Sequence, residues 1–373
     1  MTDLILSDDS KEYQSLASDF FENEVASKSE SLDHEGKVPL DLYKKCWELG
    51  LATGLIPEEF GGLGLSLWDS CVIAEEAGKS SGGFSALLEG NALATAPLLV
   101  AGNKDQKSKY LSQLTEKPTL AAYIFPTGDD LPTYKKSGTN FELKGEKLVA
   151  LNGENAIWYV VLAIDADNNE KTMFVFEAAQ KGLTRNGQIA KLGRRCADIC
   201  AISLDGVQVG EANVLGSVGD GDDIYNESSI ISKTIIAAHA TGTISGALQH
   251  SIKYSKERIT FGKPISTHQA VSFMLADMAK AAQAARLLAW KSAWLHDNGS
   301  GDYLAAKCAQ VYAVDAAMSS STDAVQVFGG YGYSKEYPVE RLMRDAKMMQ
   351  MMCGTAHNLK FEIGKELLSS GCV

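Results

Sequence analysis

The chain is poor in proline, with 8 in 373 residues, and its 34 glycines follow no period. A collagen-like or low-complexity chain is therefore excluded. Cysteine is sparse and odd in number, 7 in all, which excludes a small disulfide-stapled fold. Positive charge is in deficit: Lys+Arg 35 against Asp+Glu 47 gives −12. Such a balance argues against non-specific nucleic-acid binding, which relies on clustered cations. No uncharged apolar run reaches the ~18 residues of a spanning helix. Met1 to Ser10 is acidic and lacks the basic start and apolar middle of a secretory signal. The expectation is a soluble cytoplasmic protein in a reducing compartment, with no membrane or nucleic-acid partner. What is present, 45% hydrophobic and 22% charged residues, suffices for two or three packed units.

Three segments differ in pattern. The first, residues 1–117, reads as helices. Asp9-Ser10-Lys11-Glu12 resembles a capping box, Pro39 suits a first turn, and Gly50 a stop. Ile56 to Gly64 is a loop broken by Pro57 and three glycines. Leu67 to Ala77 is helical with Gly78 as its stop, and Ala86 to Ala101 is an apolar stretch with one carboxylate, Glu89. Residues 118–222 carry short apolar runs separated by turns such as Asn152-Gly153 and Asp205-Gly206, the pattern of a small antiparallel barrel or sandwich. Residues 223–373 return to long helices. Ala238, Gly242 and Gly246 put small residues four apart, so another helix can approach that face. Val271, Met274, Leu275, Met278, Ala282, Ala285 and Leu288 form a buried stripe; Asn298 to Gly301 is a tight stop before an antiparallel partner helix. The fold class expected is mainly α with a central β domain: helices, a β unit, then a four-helix bundle.

Three motifs stand out. In Glu257-Arg258-Ile259-Thr260-Phe261-Gly262-Lys263-Pro264-Ile265, an arginine beside a hydroxyl and an aromatic can hold a pyrophosphate and cover an adenine; the same pattern also suits a plain helix-stop loop. Gln326-Val327-Phe328-Gly329-Gly330-Tyr331-Gly332-Tyr333 is a helix C-cap or a backbone site for a diphosphate. It is not a Rossmann fingerprint, since no strand precedes it. Glu340, Arg341, Arg344 and Asp345 are placed for pairing along one helix.

Together these motifs resemble the acyl-CoA dehydrogenase family, with the medium- and short-chain members nearest in look. Ile56-Pro57-Glu58-Glu59-Phe60-Gly61-Gly62, Glu89-Gly90-Asn91, Leu192-Gly193-Arg194-Arg195-Cys196-Ala197-Asp198 and Met352-Cys353-Gly354-Thr355 fall in the family's order, and the likeness spans the chain. The resemblance implies FAD, an acyl-CoA thioester, an electron-transfer flavoprotein as partner, and a homo-oligomer, tetramer or dimer. By position, Arg258 would meet the FAD pyrophosphate and Phe261 the adenine, with His268 and Gln269 nearby. Gln326, Gly329 and Gly330 would reach the FAD of a neighbouring subunit, and Thr355 would contact the cofactor. Ser232 and Lys233 would face the substrate.

The departures concern the chemistry. Where the family carries its catalytic glutamate this chain has Cys353, and at the alternative position for that base it has Ser232, followed by Lys233. The loop that lines flavin and pantetheine reads Phe125-Pro126-Thr127-Gly128-Asp129-Asp130, and the flavin-packing Trp-Ile-Thr reads Val149-Ala150-Leu151. Cys353 is either the base, as a thiolate, or a space-filling thiol. Glu89, at the floor of the family's acyl pocket, is a further candidate base, or limits chain length, or meets a polar acyl end. The other cysteines, Cys46, Cys71, Cys196, Cys200, Cys308 and Cys372, read as structural, with no metal site, and His239, His250 and His296 as surface or satisfied core. His357, just after Gly354-Thr355, is a further candidate contact to cofactor or substrate. The expected activity is that of an FAD-dependent acyl-CoA dehydrogenase or enoyl-CoA reductase on a short or modified acyl thioester, with a non-standard proton-transfer group. The alternatives are a base-less branch eliminating a β-substituent such as sulfinate, or a degenerate subunit of a mixed tetramer. A carrier-protein thioester could replace the CoA ester.

Overall fold

A computed structural model describes residues 6–127 and 130–370. Gly128, Asp129 and Cys372 therefore lie outside the described residues. Six helices come first: α1 (Asp8–Phe20), α2 (Ser29–Glu35), α3 (Leu40–Glu48), α4 (Leu67–Ser80), α5 (Gly82–Ala101) and α6 (Lys104–Glu116). The cap of α1 is Ser7, whose hydroxyl accepts from the Ser10 N–H at 3.0 Å. The capping box expected at Asp9–Glu12 thus falls inside the helix. Gly78 does not stop α4, which runs on to Ser80. Its role is contact: a Cβ there would lie 2.1 Å from the carbonyl oxygen of His239, and one on Gly242 2.0 Å from that of Glu75. Glycine at both positions lets the two helix backbones touch. Helix α5 is long and apolar enough to cross a membrane by length and composition, but it is packed as the core helix of this domain.

The middle domain holds β1 (Leu120–Pro126), β2 (Thr133–Ser137), β3 (Asn140–Leu151), β4 (Ala156–Asp165), β5 (Lys171–Glu177), β6 (Leu183–Gln188), β7 (Ile199–Gly210) and β8 (Val214–Leu215). The sheet runs β6-β7-β3-β1-β4-β5-β8, with β2 paired to β3 and β4. It is mixed rather than wholly antiparallel: β1 and β2 each lie parallel to β4. The chain leaves β1, makes the β2–β3 hairpin, and returns to β4 beside β1, which fixes that direction. One face encloses Tyr134, Phe141 and Phe174, packed edge-on or tilted at 5.2 to 5.8 Å. The other faces the helices, where the Trp158 indole N–H donates to the Tyr110 carbonyl at 3.0 Å.

The bundle follows: α7 (Gly221–Glu257), the small ribbon β9 (Ile259–Thr260) and β10 (Lys263–Pro264), α8 (Gln269–Asp297), α9 (Tyr303–Phe328), α10 (Val339–Met349) and α11 (Ala356–Ser370). The expected stripe of α8 is buried at Met278, Ala282 and Ala285. Asp302 caps α9, accepting from the N–H groups of Leu304 and Ala305. The charged segment around Glu340 to Asp345 forms α10, α11 follows it, and the turn between them carries Cys353.

Candidate active site

Three elements converge on a narrow crevice. Helix α5 contributes Leu93, strand β1 Tyr123 and Phe125, and α7 Tyr225, Ser228, Ser229, Ser232 and Lys233; Cys353 closes it. The space left among them is about 10 Å³, room for roughly one water. Tyr123 and Phe125 lie with ring centroids 4.5 Å apart and fill the β1 side. Ser232 turns its hydroxyl back to the carbonyls of Ser228 and Ser229, at 3.5 and 3.4 Å. Lys233, buried, donates to the Cys353 carbonyl at 3.1 Å and lies near the rings of Tyr225 and Tyr303.

Cys353 occupies a left-handed backbone conformation, φ 54°, which a non-glycine residue adopts at a cost. The Gln310 amide, donating to the Met352 carbonyl at 3.1 Å, and Lys233 hold the turn on both sides. Burial, and then the charge of Glu89, push the thiol up to about 12 against Lys233 and Arg194. A general base requires the opposite shift. At neutral pH such a shift favours the protonated thiol.

Behind the crevice lies a wholly buried ion cluster. Arg194, from the loop before β7, clasps Glu89 with both terminal nitrogens, at 2.5 and 2.8 Å. His239 of α7 places Nδ1 3.0 Å from the same carboxylate. Burial raises the Glu89 carboxyl, but Arg194 and His239 more than offset it and bring it down to about 2. Glu89 is thus the acidic partner of a buried ion cluster, and a carboxylate so held is a poor proton acceptor. The Arg194 backbone N–H in turn donates to the buried Asp345 carboxylate of α10. Arg194 Nε and His239 Nε2 have no hydrogen-bond partner among the described residues.

A second feature lies at the far end of the bundle. Arg258 ends α7 with its guanidinium 5.5 Å from the Tyr331 ring. With Thr260, Gly329, Gly330 and Tyr331 it lines a crease of about 450 Å³. Cβ atoms built at Gly329 and Gly330 would meet nothing within 4 Å, so a ligand can come against the backbone there. Arg258 makes no ion pair among the described residues. Phe261 is 96% exposed at φ 51°, with its ring 6.3 Å from that of His268. The His268 Nε2 lies 3.4 Å from the Thr260 hydroxyl. Gln269 and Gln326 are exposed on the first turn of α8 and the last of α9. Arginine without a carboxylate, open glycines and an uncovered aromatic fit a nucleotide diphosphate. Arg258 and the glycine pair, which come from the ends of α7 and α9, line one crease. Thr355 lies apart from this crease and precedes α11, where its hydroxyl accepts from the Asn358 N–H at 3.2 Å.

The sequence reading missed Arg194 and His239 as site residues. Doubled arginine at Arg194-Arg195 was the available signal for the first; nothing local marks His239. Among the described residues no group of His, Cys, Asp and Glu could hold a metal ion.

Comparison with known proteins agrees with this layout. The profile "Acyl-CoA dehydrogenase, N-terminal domain" matches residues 7–117, and "Acyl-CoA dehydrogenase, C-terminal domain" matches residues 226–368. An acyl-CoA dehydrogenase of Bacillus subtilis is 35% identical over 95% of this chain and 96% of its own length. Butyryl-CoA dehydrogenase from Megasphaera elsdenii superposes with a TM-score of 0.93 at 32% identity, covering 98% of this chain and all of that one. An acyl-CoA dehydrogenase from Bacillus anthracis, solved with FAD, superposes with a TM-score of 0.91 at 25% identity, over 100% of this chain and 69% of that one.

Proposed function

Because the chain belongs to the acyl-CoA dehydrogenase family, we propose that it is an FAD-dependent oxidoreductase of short or modified acyl thioesters, in which Cys353 handles the proton at the α-carbon. The carrying observation is the crevice itself: no carboxylate lines it among the described residues, and the buried thiol of Cys353 does. Bound FAD would supply the two-electron exchange at the β-carbon. Arg258, Gly329 and Gly330, at the opposite end of α7 from the crevice, would hold the diphosphate of a neighbouring subunit's FAD, and Phe261 its adenine. A protonated thiol is suited to giving a proton, which favours the enoyl-thioester reductase direction. The Sγ–H proton passes to the α-carbon, and solvent returns one to Sγ. Lys233 fixes the backbone of Cys353 and, with Arg194, lies near enough to offset the transient negative charge. An electron-transfer flavoprotein is the fitting redox partner.

The test is reconstitution with FAD, followed by anaerobic reduction and a panel of enoyl-CoA thioesters. The expected result is flavin re-oxidation that slows by about 10²–10⁴ in Cys353→Ala. Flavin absorbance unmoved by every acyl and enoyl thioester, in both directions, overturns the reading.

A second reading is favoured by the near-closure of the crevice and by Val149 and buried Leu151 where the family carries Trp and Thr. In it the chain is a silent subunit lending its nucleotide crease to an active homologue. Purification alone with stoichiometric FAD and thioester turnover removes this alternative.

A further inference from the structure

Among the described residues, the arginine and lysine side chains that are buried are Arg194, Lys233 and Lys307. Two of them have a carboxylate. Arg194 is clasped by Glu89, and the Lys307 ammonium lies 2.6 Å from Glu366. Lys233 is 1% exposed and makes no ion pair among the described residues. It donates to the Cys353 carbonyl at 3.1 Å and otherwise faces the rings of Tyr225 and Tyr303, at 6.0 and 5.7 Å. An ammonium carries three donors, so the backbone contact uses one and leaves the charge unanswered. A buried charge in that state is costly. Holding the turn does not account for it either. The adjoining Met352 carbonyl is held by the neutral amide of Gln310 at 3.1 Å, so an uncharged donor serves the same purpose one residue away.

Resting on the acyl-thioester reading, we propose that Lys233 receives a carboxylate carried by the acyl group itself, so that the thioesters taken are those of short dicarboxylic acids. Lys233 lines the crevice beside the hydroxyl-bearing Ser228, Ser229, Ser232 and Tyr225, and no acidic side chain lines it. One ammonium among hydroxyls and apolar walls is a donor set for a single small anion. The carboxylate of Glu89 does not supply that anion, because Arg194 and His239 already hold it. Cys353, which handles the α-carbon in that reading, lines the same narrow space, so the far end of a short acyl group is confined with the ammonium. Phe125 and Tyr225 are the partly buried aromatic walls and are the side chains that yield to admit it. A monocarboxylic acyl group of equal length would set a methyl group against the ammonium and leave its charge unpaired. A buried site built for a charged partner rejects the analogue that lacks it.

The experiment uses the FAD-loaded full chain and titration calorimetry with three CoA thioesters of matched length: glutaryl-CoA, its neutral amide 4-carbamoylbutanoyl-CoA, and pentanoyl-CoA. Glutaryl-CoA is expected to bind roughly ten- to a hundredfold more tightly than either neutral ester. Lys233→Met is expected to remove that preference, and Lys233→Arg, which keeps the charge, to retain most of it. These are equilibrium affinities. A Lys233 acting only on the transient charge of the reaction, or only as a prop for the Cys353 turn, would alter rates or weaken all three esters alike, with no preference to lose. Pentanoyl-CoA binding to the unaltered protein as tightly as glutaryl-CoA overturns the proposal without any variant, and leaves the acyl-thioester reading standing. An undiminished preference in a folded Lys233→Met protein overturns it too. If no thioester binds, butanoyl-CoA to dodecanoyl-CoA included, the acyl-thioester reading itself falls, and the proposal with it.

Discussion

Arg194 of the β domain and Glu89 of the N-terminal helices form a two-pronged ion pair, 2.5 and 2.8 Å long, with neither side chain reaching solvent. Each charge depends on the other, because water reaches neither.

Replacing one partner is therefore costly. Glu89→Gln is expected to lower the unfolding free energy by about 3–5 kcal/mol, since it leaves the guanidinium buried without its counter-charge. The effect has a pH signature. The Glu89 carboxyl lies at about 2 in the folded protein against 4.5 ordinarily, so its stabilisation is complete above pH 4.5 and is lost as pH falls towards 2. Denaturant melts of the two proteins across that window should converge on acidification; a constant gap would contradict the assignment.

Cys353 should be chemically quiet. Its thiol is raised from 9.0 to about 12, which lowers the thiolate fraction at neutral pH by roughly a thousandfold. Iodoacetamide labelling of the native protein, read by peptide mass spectrometry, should leave Cys353 unmodified until the chain unfolds. Rapid labelling at neutral pH would contradict the burial and charge argument.

The contact of α4 with α7 rests on missing side chains. Gly78→Ala and Gly242→Ala should each destabilise by about 1–3 kcal/mol or more, because each new methyl meets a carbonyl oxygen of the facing helix. Thermal melts of the single variants check this. Gly330→Ala, in open space, should leave the melting temperature unchanged in the cofactor-free protein.

Arg258→Ala tests the nucleotide crease. Loss of a charged hydrogen-bonding group is worth about 1.5–3 kcal/mol, or roughly ten- to a hundredfold in FAD affinity. Fluorescence titration of the cofactor-free protein with FAD measures it, with circular dichroism confirming the fold. An unchanged affinity would remove Arg258 from the site.

Much of the architecture was legible because it follows short-range rules. The apolar stripe of α8, the stop at Asn298 to Gly301 and the small-residue face of α7 are local periodicities that tertiary packing reinforced. Gly78 misled because a glycine near a helix end signals a stop as well as a close approach, and only the facing His239 carbonyl distinguishes the two. The mixed sheet was hidden because strand direction depends on where β4 returns. Arg258, Gly329 and Gly330 were legible one by one, since backbone access and an uncommitted arginine are written in residue type, but their meeting in one crease depends on how the ends of α7 and α9 pack. Arg194 and His239 were not legible as a pair with Glu89: they come from three distant stretches of chain, and a buried charge is recognised only by the partner across from it.

That ion pair also bears on how the molecule can be cut. Glu89 belongs to the first segment, Arg194 to the second, and His239 and Asp345 to the third, so each contains half of an electrostatic bargain whose other half lies elsewhere. The segments look like interchangeable parts in sequence, yet none can be transplanted or expressed alone without carrying an unanswered charge into its own interior. Chimaeras built from relatives would have to exchange these residues as a set.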